Sequence, residues 1–393
     1  MEKNDLLLMI PGPTNVPPRI IKAMLKPMIN HRSPEFHSLY KEILEGLKYA
    51  FQTRNDVFPL TCSGTGGVEF AVGNMISRGD KVIVAVAGLF GERLKEEIVR
   101  FGGIPIEIKN EWGSACTVEE VKAVLDVEKD VKAVALVYNE TSTGATIRDL
   151  SKIGELTKKY GILLIVDAIS VLLGDHLPVD DWNVDVCIAG SQKCFACPPG
   201  LAMVSVSEKA YEVAEKNKFR PFYHDLLMWR QFKEKLETPF TPSIPLYHAL
   251  LESLKMLREE GLENRILRHK ICAEALYMAF EETGLKIVAD KKLRSNTVIV
   301  PYLPPNIDGD RFKEILKINY KVAVAGGVGK LKGKTFRIGS MGVVSKPEIL
   351  KTVESVLGSL LKLGYNPNLG LKEIRLKVEE VFSKVKLPKI SLE

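Results

Sequence analysis

Seven short apolar runs between residues 57 and 207 constrain the fold of this chain more than any other feature. They are rich in β-branched residues and nearly continuous rather than alternating, which is typical of strands buried on both faces of a sheet. In chain order the runs read VFPLT, KVIVAV, IPIEI, VKAVALVY, ILLIVDA, VDVCIAG and LAMVSVS. Amphipathic segments lie between them, and one opens with a capping box from Thr117 to Glu120. The pattern predicts an α/β fold with a mainly parallel, seven-stranded sheet.

The remainder of the chain predicts a smaller second unit. A length of 393 residues exceeds what one hydrophobic core usually serves, so two domains are expected. A long helical region from Pro245 is followed by shorter strand-like runs and by a helix with a capping box at Ser345. The expected parts are an N-terminal arm (1–20), a large domain (21–255), a small C-terminal α+β domain (256–363) and a C-terminal extension with a terminal helix (364–393).

The composition argues against several classes of function. The 55 basic and 49 acidic residues give a net charge of +6 without any run of like charges, so nucleic-acid binding is not expected. The longest early apolar run, Leu6 to Ile10, is too short for a membrane span or a signal peptide. Six cysteines in so long a chain do not make a disulfide framework. We therefore expect a cytoplasmic protein without a membrane partner.

The segment AGSQKCFACPPG, residues 189–200, contains two candidate reactive features, Lys193 and the pair Cys194 and Cys197. The cysteine pair has no second CxxC and no histidine pair at zinc-finger spacing, so no metal is expected. A thioredoxin-like redox pair would begin a helix, whereas two prolines and a glycine follow here. The favoured interpretation is two packed thiols beside an active loop.

Asp167 and Lys193 follow neighbouring strands of the predicted sheet. Asp167 ends an apolar run, where an unpaired buried carboxylate would be costly. Adjacent parallel strands would bring both residues to the same carboxyl-end crevice. They form either a structural salt bridge, or the two ends of a site for pyridoxal phosphate (PLP), in which lysine forms a Schiff base and the acid stabilises the protonated ring nitrogen. These two residues alone leave both interpretations open.

A glycine-rich turn, CSGTGG, leads from a predicted strand into a predicted helix. Ser63, Gly64 and Thr65 are small enough for backbone N–H groups to approach an anion at the helix N-terminus. Glu69 stands where a dinucleotide-binding fingerprint would need its third glycine. The turn alone is compatible with simple strand–helix packing, but beside Asp167 and Lys193 it is the expected phosphate cup.

A second glycine-rich stretch, residues 327–335, resembles a nucleotide-binding loop. Gly329 and Gly333 are separated by three residues instead of four, and a strand rather than a helix is predicted to follow. A nucleotide-binding function is therefore not favoured.

Nine short motifs occur in the order typical of one enzyme family. They are PGPTNVPP (11–18), HRSPEF (31–36), SGTGGVEFAVGN (63–74), GLFGERL (88–94), ETSTGA (140–145), IVDAIS (165–170), GSQK (190–193), PPGLA (198–202) and FRIGSMG (336–342). Together they resemble class V, fold-type I PLP-dependent aminotransferases of the alanine–glyoxylate and serine–pyruvate group. The resemblance covers roughly residues 6–363.

The resemblance implies roles for individual residues. Lys193 would hold PLP and carry a proton between substrate and cofactor, and Asp167 would keep the ring nitrogen protonated. The other implied contacts are Ser63, Gly64, Thr65 and Gln192 at the phosphate, Phe90 on the ring face, Thr141 near the ring hydroxyl, and Gly12 and Arg337 at the substrate. The implied substrates are a small amino acid, alanine or serine, and a small 2-oxo acid, glyoxylate or pyruvate.

The resemblance also implies a homodimer whose sites are built from two chains. Residues 238–247 resemble the segment that reaches a neighbour's phosphate, with Thr241 as the expected contact and Thr238 as the alternative. The apolar run from Leu6 to Ile10 is a further candidate for docking on the partner, because exposed apolar segments usually mark interfaces.

Two departures from the family pattern and three alternatives accompany this interpretation. Tyr138 stands where relatives often have histidine, and the CxxC pair is not a family motif.

A 2-aminoethylphosphonate aminotransferase stays possible as an alternative function. A cysteine desulfurase is disfavoured, because it needs a nucleophilic cysteine on a loop of the C-terminal half, and Cys272 lies in a predicted helix. A catalytically silent regulator with this fold is disfavoured because Lys193, Asp167 and Arg337 are all present.

Overall fold

The computed structural model describes residues 6–388 and 391–392 and shows strands alternating with helices through the first half of the chain. The strands are β1 (Leu7–Leu8), β2 (Asp56–Leu60), β3 (Lys81–Val86), β4 (Ile104–Lys109), β5 (Val131–Val137), β6 (Asn139–Glu140), β7 (Ala145–Thr146), β8 (Leu163–Asp167), β9 (Val186–Gly190), β10 (Ala202–Val206), β11 (Val298–Ile299), β12 (Val322–Ala323), β13 (Ala325–Gly326) and β14 (Phe336–Gly339). The α-helices are α1 (Pro18–Met24), α2 (Pro34–Phe51), α3 (Gly64–Met75), α4 (Leu89–Arg100), α5 (Val118–Val127), α6 (Leu150–Tyr160), α7 (Glu208–Lys216), α8 (Leu226–Lys233), α9 (Ile244–Glu260), α10 (Leu262–Glu282), α11 (Gly309–Tyr320), α12 (Lys346–Lys362) and α13 (Leu371–Ser383).

The central sheet has seven strands in the order β2–β10–β9–β8–β5–β3–β4. The pairs from β9 to β4 are parallel, and β10 runs antiparallel to both of its neighbours. Each of the seven apolar runs contains one of these strands, so the predicted sheet is confirmed. Pro59 lies in β2 and Pro105 in β4, the two edge strands, where a missing N–H costs no ladder hydrogen bond.

Helices cover both faces of this sheet, which explains why its strands are continuously apolar. Successive residues of a strand point to opposite faces. Ile83 of β3 therefore packs in the hydrophobic cluster formed with α2, α5, α6 and α9, whereas Val82 packs in the cluster formed with α3, α4 and α7.

A third hydrophobic cluster lies in the C-terminal part of the chain. It is built from α10, α11 and α12 and from the small sheet β11–β14–β13. Phe312 and Phe336 meet at its centre with ring centroids 4.9 Å apart.

The N-terminal arm joins this third cluster. Strand β1 pairs in parallel with β12, and the Met9 side chain is fully buried in the cluster. The expectation that the run from Leu6 to Ile10 docks on a partner stays a prediction, with Leu7 and Leu8 among its partly buried residues. Their backbone groups find hydrogen-bond partners within the same chain, and Gly339 donates to the Met9 carbonyl oxygen at 3.0 Å.

The predicted terminal helix of the extension is present as α13. It packs against α10 and α12 through Ile374, Val378 and Phe382, which recur at helical spacing. The extension thus shares the hydrophobic cluster of the small unit. The first five residues of the predicted arm, and residues 389, 390 and 393, lie outside the described residues, and the domain limits stay predictions. Within the described ranges, no helix combines the length and apolarity needed to cross a membrane.

Candidate active site

The carboxyl ends of β5, β8 and β9 and the first turns of α3 and α4 line one cavity of about 220 Å³. The predicted site residues that the structure brings together around it are Ser63, Gly64, Thr65, Phe90, Thr141, Asp167, Gln192 and Lys193. This is the edge at which α/β sheets bind their ligands. Residues distant in sequence therefore meet because of the strand order.

Lys193 is held in the cavity by the N-terminal arm. Its Nζ donates a hydrogen bond to the carbonyl oxygen of Pro11. Gly12 has a φ of +91°, and a Cβ there would lie 2.8 Å from Lys193 Cδ and Nζ, so only glycine leaves room for the lysine. Burial lowers the pKa of Lys193 to about 8. A useful fraction of the amine is therefore neutral and nucleophilic near neutral pH.

Asp167 occupies another wall of the same cavity as the last residue of β8. Its Oδ1 accepts a hydrogen bond from the Ile169 N–H at 2.9 Å. Burial raises the pKa of Asp167 to about 6, an effect opposed by that hydrogen bond and reinforced by Glu140. Both Asp167 and Lys193 are described, yet no N–O distance of 4.0 Å or less joins them. The salt-bridge interpretation is therefore wrong, and the two groups keep their charges apart across the cavity.

The phosphate cup lies where α3 begins. The Ser63 side chain makes no capping hydrogen bond, and the first N–H groups of a helix have no acceptor within it. The Oε1 atom of Gln192 is buried without a hydrogen-bond partner. A buried polar group without a hydrogen-bond partner is costly, so the end of the cavity beside Gln192 favours a ligand that makes hydrogen bonds. These residues fit the predicted PLP: the α3 N-terminus and Gln192 would hold its phosphate, and Asp167 would face its ring nitrogen.

Phe90 is fixed by Glu140, a residue that sequence reasoning missed. The Glu140 carboxylate accepts hydrogen bonds from the backbone N–H groups of Phe90 at 3.2 Å and Gly91 at 3.1 Å. Gly88 permits this approach, because a Cβ there would lie 2.3 Å from Ser142 Oγ. The guanidinium of Arg93 lies over the Phe90 ring, 5.1 Å from its centroid. The sequence signal that could have identified Glu140 was an acidic residue after a buried strand.

Arg337 lies in β14, close to the cavity but not among the residues lining it. In the described part of the chain it donates to the carbonyl oxygens of Gly326 at 2.9 Å and Thr141 at 3.5 Å rather than to a carboxylate. Burial lowers the pKa of Arg337 from its ordinary value, and Glu140 opposes that effect. Its charge in turn contributes to the lowered pKa of Lys193. The Arg337 guanidinium is thus a cation near the cavity that is held mainly by hydrogen bonds to backbone carbonyl oxygens.

Thr241 and Thr238 do not reach the cavity of their own chain. The Thr238 side chain is fully buried, and its hydroxyl donates to the Phe240 carbonyl oxygen at 2.8 Å. Thr241 is exposed. The segment lies beside the phosphate cup, because Ser243 N–H donates to Thr61 Oγ1 at 3.2 Å. Of the two threonines, Thr241 is the one free to contact another chain.

The remaining sequence features do not line the cavity. Cys194 and Cys197 are buried, and burial raises the pKa of each to about 12, so both are unreactive thiols, as the favoured interpretation held. Tyr138 packs in the cluster with α2 and donates to the His176 carbonyl oxygen at 2.9 Å.

The stretch 327–335 forms a loop that leads into β14 and not into a helix. Cys272 is buried within α10, which disfavours the desulfurase.

Comparison with known proteins decides the family. A model of the family described as "Aminotransferase class-V" matches residues 6–333. The chain belongs to the class-V aminotransferase family. The resemblance read from the sequence motifs is thus confirmed.

Individual relatives agree with the family assignment. An uncharacterised aminotransferase of Methanocaldococcus jannaschii is 45% identical over 361 residues, covering 91% of this chain and 94% of the relative. Serine–glyoxylate aminotransferase of Methylorubrum extorquens is 35% identical, covering 92% of this chain and 93% of that protein.

A solved structure confirms the predicted fold. Ureidoglycine–glyoxylate aminotransferase from Bacillus subtilis superposes on this class-V aminotransferase with a TM-score of 0.89 at 30% identity. The match covers 95% of this chain and 98% of the other.

Proposed function

We propose that this class-V aminotransferase uses PLP to transfer an amino group between a small amino acid, alanine or serine, and a small 2-oxo acid, glyoxylate or pyruvate. The single observation that carries the proposal is the separation of Lys193 and Asp167 on two walls of one cavity, with a helix N-terminus beside them. When bound there, PLP supplies an electron sink for the charge that develops on the substrate α-carbon.

Lys193 has two tasks in this proposal. Its amine, with a pKa lowered to about 8, would hold the cofactor covalently. When not engaged in that bond, Lys193 Nζ would take and return the proton at the substrate α-carbon. The Pro11 carbonyl oxygen, which accepts from Nζ, orients the free amine.

Asp167, Phe90 and the phosphate cup orient the cofactor. The Asp167 carboxylate would hold a proton on the ring nitrogen, and an ionised acid at that position would keep the ring electron-poor. Phe90 would cover one ring face, and Glu140 fixes the backbone from which Phe90 projects. Ser63, Gly64, Thr65 and Gln192 would bind the phosphate, and Thr141 would lie near the ring hydroxyl.

Arg337 would bind the substrate carboxylate, and Gly12 would border the same space. A guanidinium offers a planar fork that matches a carboxylate with two parallel hydrogen bonds. The relative from Methylorubrum extorquens is a serine–glyoxylate aminotransferase. A small substrate pair suits a cavity of about 220 Å³.

A substrate panel tests the proposed function. The holoenzyme is assayed with alanine, serine, aspartate and 2-aminoethylphosphonate as donors against glyoxylate and pyruvate. We expect the highest kcat/KM for alanine or serine with glyoxylate or pyruvate. A preference for 2-aminoethylphosphonate would replace this proposal with the phosphonate alternative.

The Arg337→Lys variant is the matched test of carboxylate recognition in the same panel. Lysine keeps the positive charge but loses the planar fork, so KM for amino donor and 2-oxo acceptor should both rise, by the equivalent of about 1–3 kcal/mol. The PLP content should stay at the wild-type level. An unchanged KM for both substrates would remove Arg337 from the site.

The proposal includes a homodimer with shared sites and a cytoplasmic location. Leu25, Met28, Phe219 and Phe222 are large apolar side chains exposed by 77%, 73%, 87% and 75%, and a partner chain would cover such groups. Thr241 is exposed beside its own phosphate cup and suits a contact with the partner's cup. The free cysteines of the described residues suit a reducing compartment.

Mixing two inactive variants tests the shared site. Lys193→Ala chains are combined with Thr241→Ala chains under conditions that allow subunit exchange. If Thr241 serves the partner's site and its loss is severe, one site of each heterodimer regains both wild-type residues, and activity partly returns. Thr238→Ala is the control, because its hydroxyl bonds within its own segment. A fully active monomer at assay concentration would refute the shared site.

A further inference from the structure

Glu97 is a carboxyl group that the proposed mechanism does not use, although it lines the cavity of Asp167 and Lys193. It lies on α4 seven residues after Phe90, and Leu94 lies between them at helical spacing. All three side chains face the cavity. Phe90 and Leu94 on this face pack in the hydrophobic cluster against the sheet, and Arg93 is the other charged residue of α4 that lines the cavity, so an acid at this position needs an explanation.

No partner neutralises Glu97 within its surroundings. Its Oε2 atom is buried without a hydrogen bond. Arg93, one turn earlier, would be the natural ion-pair partner, but its guanidinium lies over the Phe90 ring instead. A buried carboxylate without a counter-ion is costly, and the group avoids that cost by keeping its proton.

The charges facing Glu97 favour the protonated form. Glu69 on α3, Asp167 on β8 and Glu96 on its own helix are acids, and Arg93 is the opposing cation; Lys193 shares the cavity. Burial raises the pKa of Glu97 to about 8, with further contributions from Glu69 and Asp167.

The two carboxyl groups of the cavity ionise in a fixed order. The pKa of Asp167 is about 6, so Asp167 loses its proton first, while Glu97 is still neutral. The Asp167 charge then contributes to the raised pKa of Glu97.

We propose that Glu97 is a positioning residue of the cofactor pocket: its carboxyl group, which lies without a hydrogen-bond partner on the cavity that Asp167 also lines, stays protonated at neutral pH and so leaves one negative charge rather than two near the cofactor ring nitrogen. The proposal rests on the proposed function, because it assigns the ring nitrogen to the Asp167 wall. Above about pH 8, Glu97 ionises and adds a second negative charge on the same side of the ring.

The sign of the effect follows from linkage. A second negative charge favours the protonated ring nitrogen, so PLP should bind more tightly to the form in which Glu97 is ionised. Glutamine resembles the neutral acid in shape and charge. Glu97→Gln should therefore match the wild type at acidic pH and differ from it only at alkaline pH.

The test measures the PLP dissociation constant of the full chain from about pH 6.5 to about pH 9, by titrating the PLP-depleted protein and following visible absorption. We expect Glu97→Gln to bind PLP as tightly as the wild type at the acidic end and about tenfold more weakly at the alkaline end. Glu97→Met, which suits the apolar face, should give the same pattern. Glu92→Gln is the matched control, since Glu92 is exposed on the same helix and pairs with Lys95, and this variant should follow the wild type.

Each result has a distinct meaning. Parallel pH profiles for the wild type, Glu97→Gln and Glu97→Met would overturn the role of Glu97 and leave the proposed function intact. A loss of affinity that is equal at every pH would also overturn it, because that is the signature of a merely structural role. A wild-type protein that takes up no PLP would overturn both proposals.

Discussion

Lys193→Ala is expected to give a folded protein that carries no covalently attached PLP and has no transaminase activity. The substitution removes the only lysine amine that lines the cavity, within the described residues. The backbone of the loop should persist, because its hydrogen bonds do not use the lysine side chain: Ala196 N–H and the Thr14 hydroxyl both donate to the Lys193 carbonyl oxygen. Borohydride reduction followed by peptide mapping measures the attachment.

Lys209→Ala is the matched control for this loss. Lys209 is also a partly buried lysine, but it binds the Ile162 carbonyl oxygen at the opposite end of the sheet. The Lys209→Ala variant should retain PLP and activity. A reduced pyridoxyl group mapped to any lysine other than Lys193 in the wild type would end the assignment, as would transamination at wild-type rates by Lys193→Ala.

The Asp167→Asn variant is expected to bind PLP and to lose turnover by about 10²–10³-fold, the scale seen when one preorganised electrostatic partner is removed. Asparagine keeps an Oδ1 atom that can accept the Ile169 hydrogen bond, so the fold should not change. It lacks the negative charge that holds a proton on the ring nitrogen. Single-turnover kinetics with alanine measure the effect, with PLP content and thermal unfolding as checks.

The same variant has a pH signature. The carboxylate of Asp167, whose pKa in the cofactor-free site is about 6, is charged above that pH and neutral below it. Binding of a protonated ring nitrogen lowers this pKa further, so wild-type turnover should fall on an acidic limb at or below about pH 6. The residual activity of Asp167→Asn should lack that limb. Near-normal turnover in the variant would contradict the role of Asp167.

Several features of the fold were predictable because they depend on neighbours in sequence. Continuous β-branched runs identified the seven strands, and apolar spacing identified the covering helices. The order of strand ends then indicated that Asp167, Lys193 and the Ser63–Thr65 turn would meet at one edge. Motif order identified the family, which the residues in isolation did not.

Other features depended on contacts that no local pattern records. The sequence indicated an interface segment in the apolar arm. It did not indicate that β1 of this arm pairs with β12, more than three hundred residues later in the chain. Sequence spacing left Thr238 and Thr241 as alternatives, and only the buried hydroxyl of Thr238 separated them.

The sequence by itself determined the strands of the central sheet, several of its helices, the family and the candidate residues at the sheet edge, because periodicity and motif spacing are local properties of the chain. Tertiary structure alone decided which groups are paired and which are left without a partner. In the tertiary structure Asp167 and Lys193 form no salt bridge, and the Glu140 carboxylate accepts hydrogen bonds from the Phe90 backbone. Glu97 lines the cavity with its Oε2 atom buried and without a hydrogen bond. The physical reason is that hydrogen bonding, desolvation and charge coupling act over a few ångströms in space, whereas the residues involved lie tens to hundreds of positions apart in sequence.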